Sequence, residues 1–245
     1  MALLPILRVE PADLPPLAIV CGDPFRAEVI AGKLEEAREL AFAREYRTFI
    51  GVYQGMKLAV VSHGVGCPGA AVCFEELIKA GVTTIIRVGT AGALSGGYRA
   101  GSLIVSTAAV REEGLTKQLV PSSFPAVADS EVTAALYKAA LEAGAPSSVG
   151  KGITLTVDAF FSGVVELPHE TYKRAGVIAV EMEIAALYVI ASLRGIRAGA
   201  IVALDGDSTE VDEAYDPHNN IVAEAVEAEI RAALNAMVVL AGERG

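Results

Sequence analysis

The chain has 245 residues, 53% of them hydrophobic and 20% charged, which suits one large α/β domain with a sizeable core. Its formal charge of −10 argues against broad attraction to nucleic acid or to an anionic membrane. An acidic protein that binds an anion must gather its cations locally, so the positions of individual arginines become informative.

From Met1 to Pro16 the chain is broken by Pro5, Pro11, Pro15 and Pro16 and lacks a basic leader pattern, so no targeting segment is expected. A strand over Leu17–Cys21 leads through Gly22-Asp23-Pro24-Phe25 into a helix over Arg26–Glu36. The next strand, Leu58–Ser62, meets the loop Ser62-His63-Gly64-Val65-Gly66 and a helix over Gly69–Ala80. Thr84–Val88 is a strand that runs into Gly89-Thr90-Ala91-Gly92, and Leu103–Thr107 is another. A helix over Ser130–Ala143 precedes the strand Val149–Thr156 and the aromatic pair Phe160-Phe161. Then come the strand Val177–Val180, the acidic Glu181-Met182-Glu183, a helix over Glu183–Leu193, the strand Ala198–Leu204 with Asp205-Gly206-Asp207, and a last helix over Ile221–Leu240.

Several of these strands are apolar at every position, the mark of strands covered on both faces. Their alternation with helices predicts a three-layer α/β fold with a parallel or mixed sheet. No linker, repeat or low-complexity tract divides the chain, so residues 1–245 are read as one domain. Glu181 and Glu183 interrupt the most apolar stretch, 177–193, which favours a buried strand and helix over a membrane span. Cys21, Cys67 and Cys73, odd in number and in apolar or Gly-rich settings, are expected as reduced thiols of a cytoplasmic protein.

Ligands of such sheets lie beyond the carboxyl ends of the strands, where Gly22, Gly64, Gly89 and Asp205 all fall. Gly22 to Arg26 can present free backbone N–H groups and a guanidinium to an anion, although Asp23 as a plain helix cap explains the same turn. Arg87 closes an apolar run, where an unpaired cation is costly, so it needs a carboxylate or a bound anion. Glu181 and Glu183 suit the start of a helix, yet with Met182 they also suit a ribose diol. Phe160 and Phe161 are either core or a platform for a flat base. Asp205 is either a turn residue or an acid for a leaving group. His63 is expected as a buried hydrogen-bonding residue. With only His63, His169 and His218 in the chain, and no ligand spacing among them, no metal site is expected.

In order along the chain, GDPFR, REY, SHGVG, RVGTAGAL, VEMEIAAL and LDGD resemble the nucleoside phosphorylase-I family, the hexameric-type purine nucleoside and uridine phosphorylases. AREY, VSHGVG, AVCFEEL, AAVREE, FPAV and LDGD…NN are most similar to its malaria-parasite-type purine enzymes. The resemblance implies a mixed, partly barrel-like sheet wrapped by helices, and homo-oligomers built from dimers, often trimers of dimers. It implies phosphate held by Gly22, Arg26, Arg87 and Thr90, with Arg44 reaching in from the neighbouring subunit. Met182 and Glu183 would hold ribose, with Glu181 and Val65 nearby. Phe160 would stack on the base, and Asp205 would serve N7 of a purine. Inorganic phosphate would be the second substrate, with no other cofactor. Two departures bear on specificity. Ile6 aligns where a histidine commonly meets the 5′-hydroxyl, and Ser162-Gly163-Val164-Val165-Glu166 lacks the Gln and Arg that read uracil.

Overall fold

In a computed structural model the protein is described over residues 2–208 and 219–242. After a 3₁₀ turn at Pro11–Asp13, the chain runs β1 (Leu17–Cys21), α1 (Pro24–Ala31), β2 (Glu35–Ala43), β3 (Tyr46–Tyr53), β4 (Met56–Ser62), α2 (Cys67–Lys79) and β5 (Thr84–Ala93). It continues with β6 (Leu103–Glu112), α3 (Leu115–Leu119), β7 (Ala126–Val127), α4 (Ser130–Glu142) and β8 (Val149–Val157). Last come α5 (His169–Arg174), β9 (Ala179–Glu181), α6 (Ile184–Arg194), β10 (Arg197–Asp207) and α7 (Asn220–Gly242).

The sheet is mixed and partly closed. β5 pairs with β10, β10 with β6, β6 with β8, β8 with β9, and β9 returns to β5. That ring is a closed five-stranded barrel. β1, β4, β3 and β2 extend from β5 as an open wing. β5 belongs to both parts: β1 pairs with it only from Thr84 to Arg87, whereas β10 follows it to Ala93. Arg87 therefore sits where wing and barrel part, and a cleft opens there.

Side chains alternate across the wing strands, so each strand feeds two apolar layers. Ala18, Val20, Ala59 and Val61 pack under α2 and α6, whereas Leu17, Ile19, Leu58 and Val60 pack under α1, α4 and α7. This is the three-layer arrangement expected from runs apolar at every position.

Three expectations need correcting. The helix expected over Arg26–Glu36 ends at Ala31, and β2 begins at Glu35. β2 and β3 form a hairpin that the sequence pattern conceals, because β2 is an edge strand paired only with β3 and mostly exposed. Gly89 and Asp205 do not follow their strands but lie inside β5 and β10.

Candidate active site

A cavity of about 750 Å³ opens where β1 leaves β5. Its floor begins with two loops side by side. The amide of His63 donates to the Cys21 carbonyl at 2.8 Å, and that of Gly64 to the Gly22 carbonyl at 3.0 Å. Gly64 has φ +74°, and a Cβ there would lie 2.7 Å from Glu45 Cγ, so glycine is required on both counts. Asp23 does cap α1, accepting from the Phe25 amide at 2.8 Å, and Pro24 holds the first helical turn. Capping and anion access coexist here: Gly22, Asp23, Pro24 and Arg26 all line the cavity.

Arg87 is only 3% exposed. Its Nη2 donates to Glu183 and lies 3.6 Å from Glu181, so the carboxylate pairing foreseen for it is present. Its Nε and Nη1 are buried with no hydrogen-bond partner. An unmet guanidinium donor in a low-dielectric place is costly, and these two adjoin a cavity large enough for a ligand. A Cβ on Gly89 would come within 2.5 Å of Arg87 Nη1. The glycine inside β5 thus makes room for the guanidinium over the strand.

The two glutamates divide their work. Glu181 accepts from the Thr156 hydroxyl with one oxygen and from the amides of Glu183 and Ile184 with the other, so it helps to start α6 while also lining the cavity. Burial pushes its pKa up, against the Arg87 charge. Glu183 accepts the Gly66 amide at 2.6 Å and the Arg87 donor. Burial opposes its ionisation too, but Arg87, His63 and the Gly66 amide together hold its pKa below the ordinary value. Glu183 is therefore a fixed carboxylate at the cavity wall, next to Met182.

Asp205 is buried and lines the same cavity. The register of β10 against β5 shifts between Leu204 and Gly206, and a bulge of this kind re-aims the side chain it carries. Thr90, Val65 and Phe160 complete the expected set, with Val65 77% and Phe160 49% exposed at the rim. Phe160 meets Phe161 edge to face at 5.0 Å between centroids.

Arg44 is the exception: it does not line this cavity. It opens the two-residue turn between β2 and β3 with φ +59°, a left-handed conformation costing a non-glycine residue roughly 1–2 kcal/mol. Its side chain is 76% exposed. Sequence reasoning passed over Glu45, His169 and Ser208, which line the cavity. His63 is buried as expected, with Nδ1 2.8 Å from the Gly64 carbonyl. Among the described residues no group of three or more His, Cys, Asp or Glu is placed to hold a metal ion; His218 lies outside them.

Cationic and backbone donors beside a fixed carboxylate, at the parting of an open sheet and a barrel, define a site for an anion next to a polyol. Residues 16–239 match the Phosphorylase superfamily, and the chain belongs to that family. It is 38% identical to a purine nucleoside phosphorylase of Plasmodium vivax, over 96% of each chain. It is 41% identical to a uridine phosphorylase of Thermococcus kodakarensis, over 81% of this chain and 75% of that one. A purine nucleoside phosphorylase of Toxoplasma gondii, solved with immucillin-H, superposes with a TM-score of 0.94 at 35% identity, covering 99% of this chain and 98% of the other. The barrel-bearing mixed sheet expected from the motifs is the fold shared with that structure.

Proposed function

We propose that the protein cleaves the N-glycosidic bond of purine ribonucleosides with inorganic phosphate, releasing free base and ribose 1-phosphate. The observation that carries this reading is Arg87, a buried guanidinium that holds Glu183 with one nitrogen and keeps two others without partners beside the cavity. A phosphate held by Gly22, Arg26, Arg87 and Thr90 supplies the acceptors those donors lack. Glu183 accepts the ribose hydroxyls, with Met182 under the apolar face of the sugar and Val65 beside it. Glu181, which lines the same wall, lies near the sugar.

The chemistry follows from charge. As the C1′–N bond breaks, its electron pair leaves with the base and positive charge grows on the sugar. A phosphate oxygen then forms the new bond to C1′, and its negative charge stabilises the transition state. Asp205 gives a proton or hydrogen bond to N7 of the departing purine, and Phe160 stacks on the base. Phosphate is the second substrate, and the scheme uses no further cofactor.

Arg44 acts in a homo-oligomer, a dimer or trimer of dimers, where it reaches a neighbour's phosphate. Its exposed, strained position outside the lining of its own cavity supports that role. Three free, buried cysteines fit a cytoplasmic location. Among the described residues no helix is long and apolar enough to cross a membrane.

A second reading, cleavage of uridine, is favoured by the resemblance to the archaeal uridine phosphorylase. Ile6 in place of a histidine also leaves room for a 5′-methylthio sugar. Base release from inosine, uridine and methylthioadenosine, each with and without phosphate, decides among them. Phosphate-dependent release of hypoxanthine is expected to dominate. Dominance by either other substrate replaces the purine assignment, and release without phosphate overturns the phosphorylase reading.

A further inference from the structure

Beneath the cavity floor, α7 carries a carboxylate that the scheme above does not use. Glu229 lies on the buried stripe of α7 formed by Val222, Ala225, Ala232 and Ala236, and it is 0% exposed. One oxygen is 3.9 Å from Nη1 of Arg26, a separation at the outer limit of an ion pair. Neither oxygen reaches a donor at hydrogen-bond geometry. The amides of Gly89 and Ala203 lie near enough to favour its charged form without completing a bond.

A lone carboxylate in an apolar layer destabilises the fold when ionised, and this one replaces what would be an alanine or leucine on a packing face. Its position explains the exception. It sits behind Arg26, which lines the cavity from α1, and behind Gly89 on the floor. The groups that face it are Arg26 from α1, Arg87 from β5 and the Cys21 thiol from β1. From β10 it meets the Ala203 amide. α4 adds only the apolar Val132, Leu136, Ala139 and Ala140 to the same layer.

We propose that Glu229 is a positioning residue for phosphate: in its ionised form it holds Arg26 in the empty site, and that form takes up a proton when phosphate arrives. This rests on the phosphorylase reading. In the empty site two arginines, Arg26 and Arg87, face three carboxyl groups, Glu181, Glu183 and Glu229, so the cluster is balanced when Glu229 is protonated and carries one net negative charge once Glu229 ionises at higher pH. A phosphate dianion on the same arginines adds like charge a few ångströms from Glu229. A proton taken from solvent by the Glu229 carboxylate relieves that repulsion, and Arg26 passes from the glutamate to the phosphate. Burial raises the Glu229 pKa to about 8, against the pull of Arg26 and Arg87, which places the exchange within reach of ordinary buffers. Of its neighbours, the Cys21 thiol is pushed up to about 12 by burial and stays neutral there.

The test is calorimetric titration of inorganic phosphate into the full-length protein, in two buffers of different ionisation heat, at intervals from about pH 7 to 9.5. The expected result is net proton uptake that appears above roughly pH 8, with affinity falling there by up to about tenfold per pH unit. In Glu229→Gln both the uptake and the pH slope are lost, while Glu227→Gln, an exposed neighbour paired with Lys33, keeps them. The KM for phosphate is expected to follow the same slope, and the KM for nucleoside is not. Wild-type binding without proton uptake at about pH 8.5 to 9.5 overturns the proposal whether or not the variant folds, as does an unchanged slope in Glu229→Gln. Failure of phosphate to bind at any pH overturns the phosphorylase reading and this proposal together.

Discussion

The floor and the rim of the cavity are built by different means. The floor is made from the loops after β1 and β4, strands β5 and β10 and the starts of α1 and α6, and its central charged groups are buried: Arg87 is 3% exposed, and Glu183 4%. The rim includes Val65, 77% exposed, and the stretch between β8 and α5, where Phe160 is 49% exposed. Rigid elements hold donors to the precision that bond-making needs, whereas an exposed loop can vary without unfolding the protein. Under the proposed function the reaction type would belong to the floor and the choice of base to the rim.

The largest effect that can test the division is on the floor. Arg87→Ala removes the two unmet donors and leaves Glu183 without its cation. Loss of one preorganised donor group of this sort lowers turnover by about 10²–10³, and here the loss is expected to reach at least that size. Phosphorolysis rates against phosphate concentration check it; a variant near wild type means that phosphate does not sit there.

Asp205 lies where floor meets rim, so its replacement discriminates between substrates. Asp205→Asn is expected to slow purine cleavage by about 10²–10⁴, the range of a lost general acid, and to change uridine cleavage only a few-fold, because uracil has no N7. Parallel rates on inosine and uridine measure this. Equal losses remove Asp205 from the leaving-group role. Smaller again is Phe160→Ala at the rim: a lost base stack of about 1–3 kcal/mol raises the nucleoside KM roughly tenfold and leaves the phosphate KM unchanged.

The same division explains what could be read from the sequence. β1 is apolar at every position, and β4 and β10 contain long apolar runs buried almost throughout, so pattern alone locates them. β2 begins Glu35-Glu36-Ala37-Arg38-Glu39-Leu40, a run of good helix formers, and becomes a strand only because it pairs with β3; propensity loses to tertiary pairing. Gly89-Thr90-Ala91-Gly92 looks like a loop, but it is strand because β10 pairs with it and Arg87 needs the missing Cβ. Arg87, Glu183 and Asp205 stood out as charges at the ends of apolar runs. Glu229 was hidden among the acids of α7, although its place four residues after Ala225 and three before Ala232 marks it as facing inward.

The smallest effect probes the layer just under the floor, through His63. Its Nδ1 faces the Gly64 carbonyl, an acceptor only, so Nδ1 carries the proton and Nε2 is a bare, buried acceptor without a partner. A second proton would place a cation against the Phe74 ring edge contact and beside Arg87. Burial first, and Arg87 next, lower the His63 pKa from 6.5 to about 4, although Glu183 pulls the other way. Between those two values the unfolded chain binds a proton that the folded chain refuses. Stability from this group therefore rises with pH across that window and is lost as pH falls through it. Glu229, raised to about 8, has the opposite sign: the folded chain holds a proton that the unfolded chain has released, so its contribution falls as pH rises from the ordinary carboxyl range toward 8. The two slopes overlap near pH 5 to 6 and partly cancel in the wild type, which is why the difference from a variant is the informative quantity. In His63→Asn, which keeps a donor for the Gly64 carbonyl, the melting temperature is expected to approach that of the wild type as pH falls from 7 to about 4.5. A constant gap across that range would mean that His63 titrates alike in both states, and that the layer beneath the phosphate site is wetter than its packing implies.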